Sequence, residues 1–248
     1  MPGLDWLTSR PIAHRGLHDA AAGVIENTAS AFSAAIAGGY GIETDLQISA
    51  DGEAMVHHDD ALGRLTEGSA RLAALPAAEI KAAPFKKSAE HILTLGELCA
   101  LVAGRATLLL ELKSHFDGDA RLPARVAQVL ADYAGPVAAM SFDPQQIETL
   151  RAAAPGLPRG IVAERRYAHH EWDRFSPAAK RRLAFLLHAH RTRPHFIAYA
   201  LRDLPAFAPL IGRWLFGLPL LTWTARSEQD RRRAARFANQ IIFEGFRP

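Results

Sequence analysis

Charged residues recur at every second position in two short segments that are otherwise rich in apolar residues. One residue separates Glu43 from Asp45, and one residue separates Glu111 from Lys113. Side chains alternate between the two faces of a β-strand, so each pair shares one face of its strand. Because the apolar faces of these strands should pack against helices, we expect the charged faces to meet in a polar site.

The carboxylates of Glu43, Asp45 and Glu111 indicate a metal site. Several buried carboxylates cannot all ionise together unless a cation neutralises them. Carboxylate oxygens without cysteine ligands suit a hard ion such as Ca²⁺ or Mg²⁺ rather than zinc. We therefore predict a divalent cation, Ca²⁺ or Mg²⁺, as the cofactor. The alternative is an internal network of ion pairs with Arg15 and Lys113 and no metal.

Further side chains near these segments are suited to phosphate chemistry. Arg15 and Lys113 are cations that could bind a phosphate opposite the metal. His14 ends the first apolar run of the sequence, and His58 ends another. Two imidazoles that flank a phosphate can act as general acid and general base near neutral pH. Which histidine has which role stays open.

The choice of His58 over His57 depends on how residues 53–58 pair with the preceding strand. Only an Asp-Gly pair separates the two runs, so they should form an antiparallel hairpin. An unbulged two-residue loop sets His58 opposite Asp45, on the side of the carboxylates. A bulge of one residue would favour His57 instead. We predict the unbulged register, with His57 structural and pointing away.

The elements that must position these residues alternate between apolar runs and helix-like segments. The predicted strands are residues 11–14, 41–46, 107–113, 137–141, 159–163, 196–200, 218–224 and 240–244. This alternation over 248 residues predicts an α/β fold, a (β/α)8 TIM barrel, with its site at the C-terminal ends of the strands. An open doubly wound sheet is the alternative, but no Gly-rich phosphate loop follows the first run.

Helix starts are predicted from capping residues. The first helix is predicted at residues 26–37, another begins after Thr94 within a capping box, and another begins after Asp143, which precedes a proline. The most apolar window, residues 207–223, predicts a buried helix followed by a buried strand. A charge, prolines and glycines interrupt this window, which does not suit a membrane span.

The overall composition is that of an ordinary globular protein. Hydrophobic residues make up 49% and charged residues 22%, and 29 basic against 26 acidic residues give a net charge of +3. The single cysteine, Cys99, excludes an internal disulfide and a Cys-rich metal site. The small basic excess allows an anionic substrate and gives weak support for nucleic acid. We expect one domain over residues 1–248 and, since no signal peptide is recognisable, a cytoplasmic location.

Taken in order, these residues resemble the glycerophosphodiester phosphodiesterase family. The resemblance covers nearly the whole chain, and its most specific part runs from His14 to Lys113. The matching motifs are His14-Arg15-Gly16, Glu26-Asn27-Thr28, Ala31-Phe32, Glu43-Thr44-Asp45, Asp51-Gly52, His58-Asp59-Asp60, Leu62, Arg64, Leu95-Gly96-Glu97-Leu98, Glu111-Leu112-Lys113, Ser141-Phe142 and Trp223-Thr224.

The resemblance implies a (β/α)8 barrel with a small insertion after strand 2, here roughly residues 59–93. It implies metal-dependent hydrolysis of a glycerophosphodiester to glycerol 3-phosphate and an alcohol. The roles it implies by matching position are metal ligation by Glu43, Asp45 and Glu111, acid–base catalysis by His14 and His58, phosphate binding by Arg15 and Lys113, support of the metal site by Glu26, and substrate contact by Trp223.

Three of these residues have structural alternatives, and the last strand departs from the family pattern. Glu26 could instead be an acid at a helix N-terminus, Lys113 an ion-pair partner of Glu111, and Trp223 a core residue. Where the family often has a Thr-Asp pair, the last strand here ends at Glu244, whose longer side chain makes the equivalent contact uncertain.

The resemblance predicts a small-molecule glycerophosphodiester as the partner, with no nucleic acid and no stable membrane insertion. Two other functions compete with it: a barrel lipase of the phospholipase C or sphingomyelinase D type, and a catalytically inactive binding barrel. A lipase should carry an exposed apolar rim at its active site. The sequence does not specify the alcohol, the native ion or the oligomeric state. It also leaves open whether the nucleophile is water or a glycerol hydroxyl.

Overall fold

Nine β-strands lie within residues 3–248, the part of the chain that this computed structural model describes. The strands are β1 (Ile12–His14), β2 (Gly41–Ile48), β3 (Ala54–Val56), β4 (Leu108–Leu112), β5 (Val137–Ser141), β6 (Arg159–Ala163), β7 (Phe196–Ala200), β8 (Leu220–Ala225) and β9 (Gln240–Phe243). All eight predicted barrel strands are confirmed, with small differences at their ends.

Helices connect most of these strands. They are α1 (Asp5–Thr8), α2 (Ala29–Ala37), α3 (Ala77–Ala82), α4 (Leu95–Val102), α5 (Arg121–Leu130), α6 (Pro144–Ala153), α7 (Pro177–Ala184), α8 (Ala189–Thr192), α9 (Phe207–Phe216) and α10 (Glu228–Ala234). Thr94 and Glu97 form the predicted capping box, and the Asp143 carboxylate accepts a hydrogen bond from Gln145 N–H at 2.9 Å. Both predicted helix starts are therefore confirmed.

The sheet closes into a parallel eight-stranded barrel. Its strand order is β1-β9-β8-β7-β6-β5-β4-β2, and β1 pairs with β2 to complete the ring. β3 is antiparallel and pairs with β2 outside the ring. This closure confirms the predicted (β/α)8 barrel and excludes the open doubly wound sheet.

Apolar side chains fill two layers, one inside the barrel and one between the barrel and its helices. On β4, Leu108, Leu110 and Leu112 face outward and belong to the same buried cluster as helix residues such as Phe32. Leu109, on the other face, packs inside the barrel in a separate cluster. Each fully buried side chain of this size contributes about 1.5–3 kcal/mol, so the strand alternation is strongly fixed.

Residues 59–93 form a compact insertion between β3 and α4. A one-turn helix at Leu72–Ala74 and the short α3 lie in this segment. Their side chains form a small hydrophobic cluster with Ile25 and Met55. The insertion is thereby packed against the β2–β3 hairpin and against the loop after β1.

The register predicted for the hairpin is wrong. β2 and β3 pair Ile48 with Ala54, and the N–H of Ser49 donates to the carbonyl of Glu53 at 2.9 Å. The turn therefore has three residues rather than two, and its last residue, Gly52, has φ +84°. Only glycine adopts this left-handed conformation at little cost, which permits the extra residue.

The boundaries and environment of two predicted helices also differ. α2 begins at Ala29, after the cap residue Thr28, so Glu26 lies in the preceding loop and is not an acid at the helix N-terminus. The window 207–223 does contain a helix and a strand, but the helix is not buried. Four apolar side chains of α9 are between 67% and 74% exposed: Phe207, Trp214, Leu215 and Phe216.

The described residues contain no helix that is both long enough and apolar enough to cross a bilayer. α9, the helix within the most apolar window, runs only from Phe207 to Phe216. A span of the hydrocarbon core takes about 20 apolar residues.

Candidate active site

Three carboxylates converge inside the C-terminal end of the barrel. Glu43 and Asp45 lie on β2, and Glu111 lies on the neighbouring β4, where it is directly opposite Asp45. One carboxylate oxygen from each lies within 4.8 Å of the others, and all three side chains are buried. The structure therefore brings together the three predicted metal ligands, and strand alternation is the reason they share one face.

Two cations contact this acidic cluster. The Lys113 ammonium lies 2.8 Å from Asp45 Oδ1 and 2.6 Å from Glu111 Oε1. Arg15 Nε lies 3.3 Å from Asp45 Oδ2, and the backbone N–H of Arg15 donates to Glu43 Oε2 at 3.1 Å. Arg15 has φ +58°, so the turn after β1 is unusual for a residue other than glycine. This turn aims a backbone N–H and a guanidinium at the same cluster.

Glu43 and Asp45 have pKa values shifted in opposite directions. Burial, together with the charges of Asp45 and Glu111, raises the pKa of Glu43 well above its usual value. For Asp45, burial acts in the same direction, but the charge of Lys113, followed by those of His58 and Arg15, outweighs it and lowers the pKa. By formal count, three buried carboxylates face two cations, Lys113 and Arg15.

His14 and His58 both line the cavity above the carboxylates, as predicted. His14 Nε2 lies 3.9 Å from Glu43 Oε2, and His14 Nδ1 lies 2.5 Å from Glu244 Oε2. His58 Nδ1 lies 2.8 Å from Asp59 Oδ1. A carboxylate at Nδ1 holds the ring in one orientation and favours the Nδ1–H tautomer, which leaves Nε2 to exchange a proton with a ligand.

His58 reaches the cavity for a different reason from the one predicted. The observed register sets His57 opposite Asp45, and the His57 N–H donates to the Asp45 carbonyl at 3.0 Å. However, β3 ends at Val56, so strand alternation does not extend to these histidines. His57 is 2% exposed and lies outside the cavity lining, whereas His58 belongs to that lining. His58 thus lies in the cavity lining, as predicted, but the predicted register is wrong.

Glu26 supports Arg15 from outside the carboxylate cluster. Glu26 Oε1 accepts hydrogen bonds from Arg15 Nη1 and from Arg64 Nη2, both at 2.7 Å. Burial raises the pKa of Glu26, but the hydrogen bond from Arg64 and the charge and hydrogen bond of Arg15 outweigh it and lower the pKa to about 2. Glu26 is therefore an ion-pair partner of the two arginines here.

Sequence analysis missed the connecting roles of Arg64 and Asn27. Arg64 Nε donates to Asp59 Oδ2 at 2.6 Å, so Arg64 links the loop of Glu26 to the partner of His58. Asn27 Nδ2 donates to Asp45 Oδ2 at 3.0 Å. Both residues belong to matching motifs, but their spacing alone gives no indication of these contacts.

Glu244 takes the position at which the last strand departs from the family pattern, and its side chain reaches the site. β9 pairs with β1, with Phe243 opposite Ala13, so the next residues along the two strands are neighbours. Glu244 binds His14 through one oxygen and contacts Arg226 Nη2 at 2.6 Å through the other. The hydrogen bond to His14 lowers the pKa of Glu244 to about 2. Burial acts in the opposite direction but is outweighed.

Trp223 lies both in the cavity lining and against an aromatic neighbour. Its ring packs edge-on to Phe142 with centroids 5.6 Å apart. Its indole nitrogen is enclosed and has no hydrogen-bond partner among the described residues. The cavity that Trp223 lines has a volume of about 1080 Å³ and also contains His14, His58 and Lys113 in its wall.

Comparison with known proteins gives consistent matches. The Glycerophosphoryl diester phosphodiesterase family profile matches residues 14–244. A glycerophosphodiester phosphodiesterase of Caldanaerobacter subterraneus subsp. tengcongensis is 30% identical over 161 residues, which are 61% of this chain and 65% of that protein. The match thus spans just under two thirds of that relative's length.

Two solved structures share the fold. An Oleispira antarctica phosphodiesterase, in complex with the product sn-glycerol-3-phosphate, superposes with a TM-score of 0.78 at 21% identity and covers 97% of this chain and 95% of that one. A glycerophosphodiester phosphodiesterase from Thermotoga maritima gives a TM-score of 0.70 at 22% identity, covering 94% and 92%.

Proposed function

This chain belongs to the glycerophosphoryl diester phosphodiesterase family, and we propose that it hydrolyses a glycerophosphodiester to sn-glycerol 3-phosphate and an alcohol. One observation carries the proposal. His14 and His58, each with a carboxylate at Nδ1, line the same cavity as Lys113 and the carboxylates Glu43 and Glu111. Phosphoryl transfer depends mainly on positioning and on electrostatic stabilisation, and this arrangement supplies both.

The acidic cluster fits a divalent cation. Glu43, Asp45 and Glu111 offer carboxylate oxygens within 4.8 Å of one another, and they carry more negative charge than Lys113 and Arg15 offset. Such a donor set suits Ca²⁺ or Mg²⁺. A bound ion of this kind would supply positive charge against the phosphoryl oxygens. The remaining steps involve the side chains of this chain.

The histidines divide the proton transfers between them. One imidazole removes a proton from the nucleophile, and the other donates a proton to the leaving alkoxide. Glu244 and Asp59 contact Nδ1 of His14 and His58 and hold the two rings in place. Arg15 and Lys113 provide positive charge for the phosphate. Both water and the neighbouring glycerol hydroxyl are compatible with this arrangement as the nucleophile.

The structure does not favour the lipase alternative. A lipase should have an exposed apolar rim at the mouth of its active site. α9 carries most of the large exposed apolar side chains, but Trp214, Leu215 and Phe216 lie at its C-terminal end. After this end of α9, the chain enters β8 at the start of the strand. The starts of the strands lie on the face of a (β/α)8 barrel that is remote from its active site.

The proposal is tested by turnover of glycerophosphoglycerol, with sn-glycerol 3-phosphate measured as the product. We expect product release with Mg²⁺ or Ca²⁺ and its loss in EDTA. Thermal unfolding followed with and without each ion gives a readout that is independent of activity, because an ion that binds only the folded state raises Tm. Replacement of Glu43 by Gln should abolish that rise.

Two results would contradict the proposal. Release of glycerol and phosphocholine from glycerophosphocholine, instead of sn-glycerol 3-phosphate and choline, would mean that the other ester bond is cleaved. Absence of turnover for glycerophosphoglycerol, glycerophosphocholine and glycerophosphoethanolamine, in a protein whose Tm does rise with the ion, would favour the inactive binding barrel.

A further inference from the structure

The cavity extends from the catalytic residues to loops on the other side of the barrel. β2 and β4 are neighbours, whereas β6, β7 and β8 follow one another across the ring. The loops after these three strands, together with the adjoining α10, contribute a basic set to the lining: Arg174, Arg202, Arg226, Arg233, His169 and His170. Among the described lining residues of the same loops, the carboxylates are Glu164 and Asp230.

Arg202 is held in the cavity wall by a buried carboxylate. Glu164 directly follows β6, is 1% exposed, and accepts a hydrogen bond from Arg202 Nη2. His169 Nε2 lies 3.3 Å from both Nη1 and Nη2 of Arg202. Half of the Arg202 side chain is nevertheless exposed. A guanidinium restrained in this way keeps donors for a pair of anionic oxygens, such as those of a phosphate or a carboxylate.

Glu164 also retains an unused acceptor. Its second oxygen, Oε1, is buried and accepts no hydrogen bond from the described residues. Buried carboxylate oxygens are nearly always hydrogen-bonded, so this unpartnered oxygen still needs a polar partner, and Glu164 belongs to the cavity lining. Arg202 and Glu164 together therefore offer a cationic donor and an anionic acceptor side by side.

The other carboxylate of this lining, Asp230, is committed to another contact. Asp230 accepts a hydrogen bond from the backbone N–H of Arg226 at 3.0 Å, and the Arg226 guanidinium contacts Glu244. The Arg233 guanidinium donates to the carbonyl of Leu204 at 2.7 Å, a contact that does not neutralise its charge. This side of the cavity therefore keeps an excess of positive charge.

The nearby aromatic residues do not form an open cage for a quaternary ammonium group. The Arg174 guanidinium covers the rings of Phe116 and Phe175, at 5.5 Å and 5.2 Å from their centroids. Trp172 is 6% exposed and packs against Phe116 and Phe142. Since Arg174 already covers two of these ring faces and Trp172 is enclosed, a choline group would meet guanidinium groups instead.

We propose that Arg202 and Glu164, with Arg174 nearby, form a subsite for the alcohol part of the substrate, and that this alcohol is a polyol bearing a second phosphate or a carboxylate. The inference rests on the proposed hydrolysis of glycerophosphodiesters and specifies its substrate class. A cavity of about 1080 Å³ accommodates such a doubly anionic diester between Lys113 and Arg202.

The test compares three diesters that share the glycerol 3-phosphate half. These are glycerophosphoglycerol, the same compound with a phosphate on the second glycerol, and glycerophosphocholine. We expect kcat/KM to be about tenfold higher for the phosphorylated compound than for glycerophosphoglycerol, as one added charge-assisted contact predicts, and lowest for glycerophosphocholine. The advantage should shrink as salt increases, because much of it comes from exposed charge.

Variants of Arg202 test whether this residue causes the higher kcat/KM of the phosphorylated compound. In Arg202→Gln the ratio of kcat/KM between the phosphorylated and unphosphorylated compounds should fall to about one, mainly through a higher KM. Because this variant leaves Glu164 buried without its partner and could unfold, Arg202→Gln combined with Glu164→Gln removes both charges together. Arg181→Gln, at an exposed position outside the cavity lining, is the matched control and should keep the full ratio.

A ratio near one in the parent enzyme, or an unchanged ratio in both Arg202 variants, would overturn the subsite. In either case glycerophosphoglycerol would still be hydrolysed, and the proposed function would stand. If none of the three diesters is hydrolysed, the proposed function fails and the subsite fails with it. A preference for glycerophosphocholine would show that the aromatic residues, rather than the arginines, select the alcohol.

Discussion

The two sides of the cavity hold their charged groups by different means. On the side of β1, β2 and β4, the functional groups sit on strands or just beyond their ends, and several charges contact an opposite one at short distance, as Lys113 does with Asp45 and Glu111. On the side of β6, β7 and β8, the arginines lie on loops and on α10, and two of them, Arg233 and Arg174, contact a carbonyl group and aromatic rings. A rigid strand scaffold suits residues that must hold a fixed geometry for the reaction. Loops suit residues that select the alcohol part of the substrate.

The largest expected effect is on the strand side, in the histidines. His14→Ala and His58→Ala should each lower kcat about 10²–10⁴-fold, because each removes a proton-transfer group. The measurement is kcat for release of sn-glycerol 3-phosphate, with circular dichroism as a check on folding. His190→Ala, at an exposed histidine outside the cavity lining, should leave kcat unchanged. Near-normal turnover in either cavity variant would contradict the acid–base assignment.

A smaller effect is expected at Glu244, which acts through His14. Glu244→Gln keeps the size of the side chain but removes the charge that holds the His14 ring, and should lower kcat about 10–100-fold with little change in KM. Glu244→Asp keeps the charge on a shorter side chain and should restore part of the loss. A change in KM alone would indicate a merely structural role.

The contrast between strands and loops also explains what the sequence could predict. Alternation along two strands was enough to group Glu43, Asp45 and Glu111, because the period of a strand is fixed by backbone geometry. The contact between His14 and Glu244 depends on pairing between the first and last strands, which local spacing does not reveal.

The wrong predictions have equally local causes. The hairpin register failed because Gly52 accommodates an extra turn residue in a left-handed conformation. The apolar composition of residues 207–223 predicted burial, but α9 packs through Pro209, Leu210 and Gly212 and exposes its other side. Hydrophobicity alone does not specify which face of a short helix has a partner.

Acid stability separates a partly buried carboxylate, Glu26 in the loop before α2, from an exposed one, Glu228 on α10. The pKa of Glu26 is about 2 in the folded protein, below its usual value of 4.5, because the hydrogen bond from Arg64 and the charge of Arg15 outweigh burial. As pH falls, the unfolded chain binds this proton first. The stabilisation by ionised Glu26 is therefore fully present above about pH 4.5 and is lost as pH falls towards about 2.

Glu26→Gln should remove that pH-dependent part, which we expect to be about 1–3 kcal/mol after allowance for partial exposure. The measurement is urea unfolding of parent and variant at several pH values from 6 to about 2.5. The pKa of Glu228 is also about 2, through its hydrogen bonds with Arg231 and Arg232, but this group is exposed to solvent. Glu228→Gln is the matched control and should change the pH slope much less, because solvent screens its ion pairs. If Glu26→Gln and Glu228→Gln changed the slope of the unfolding free energy against pH equally, the two ion pairs would not differ in strength.

The smallest expected effect is at the exposed apolar side chains of α9. Leu215 is 74% exposed, so Leu215→Ser removes little buried area and should change the free energy of unfolding by less than about 0.5 kcal/mol. Leu109 inside the barrel is fully buried, and Leu109→Ala should cost about 2–5 kcal/mol because a cavity remains. Urea unfolding of both variants measures the difference. A large loss in Leu215→Ser would mean that the C-terminal end of α9 is covered in solution, and light scattering would then distinguish a second copy of the chain from a packed monomer.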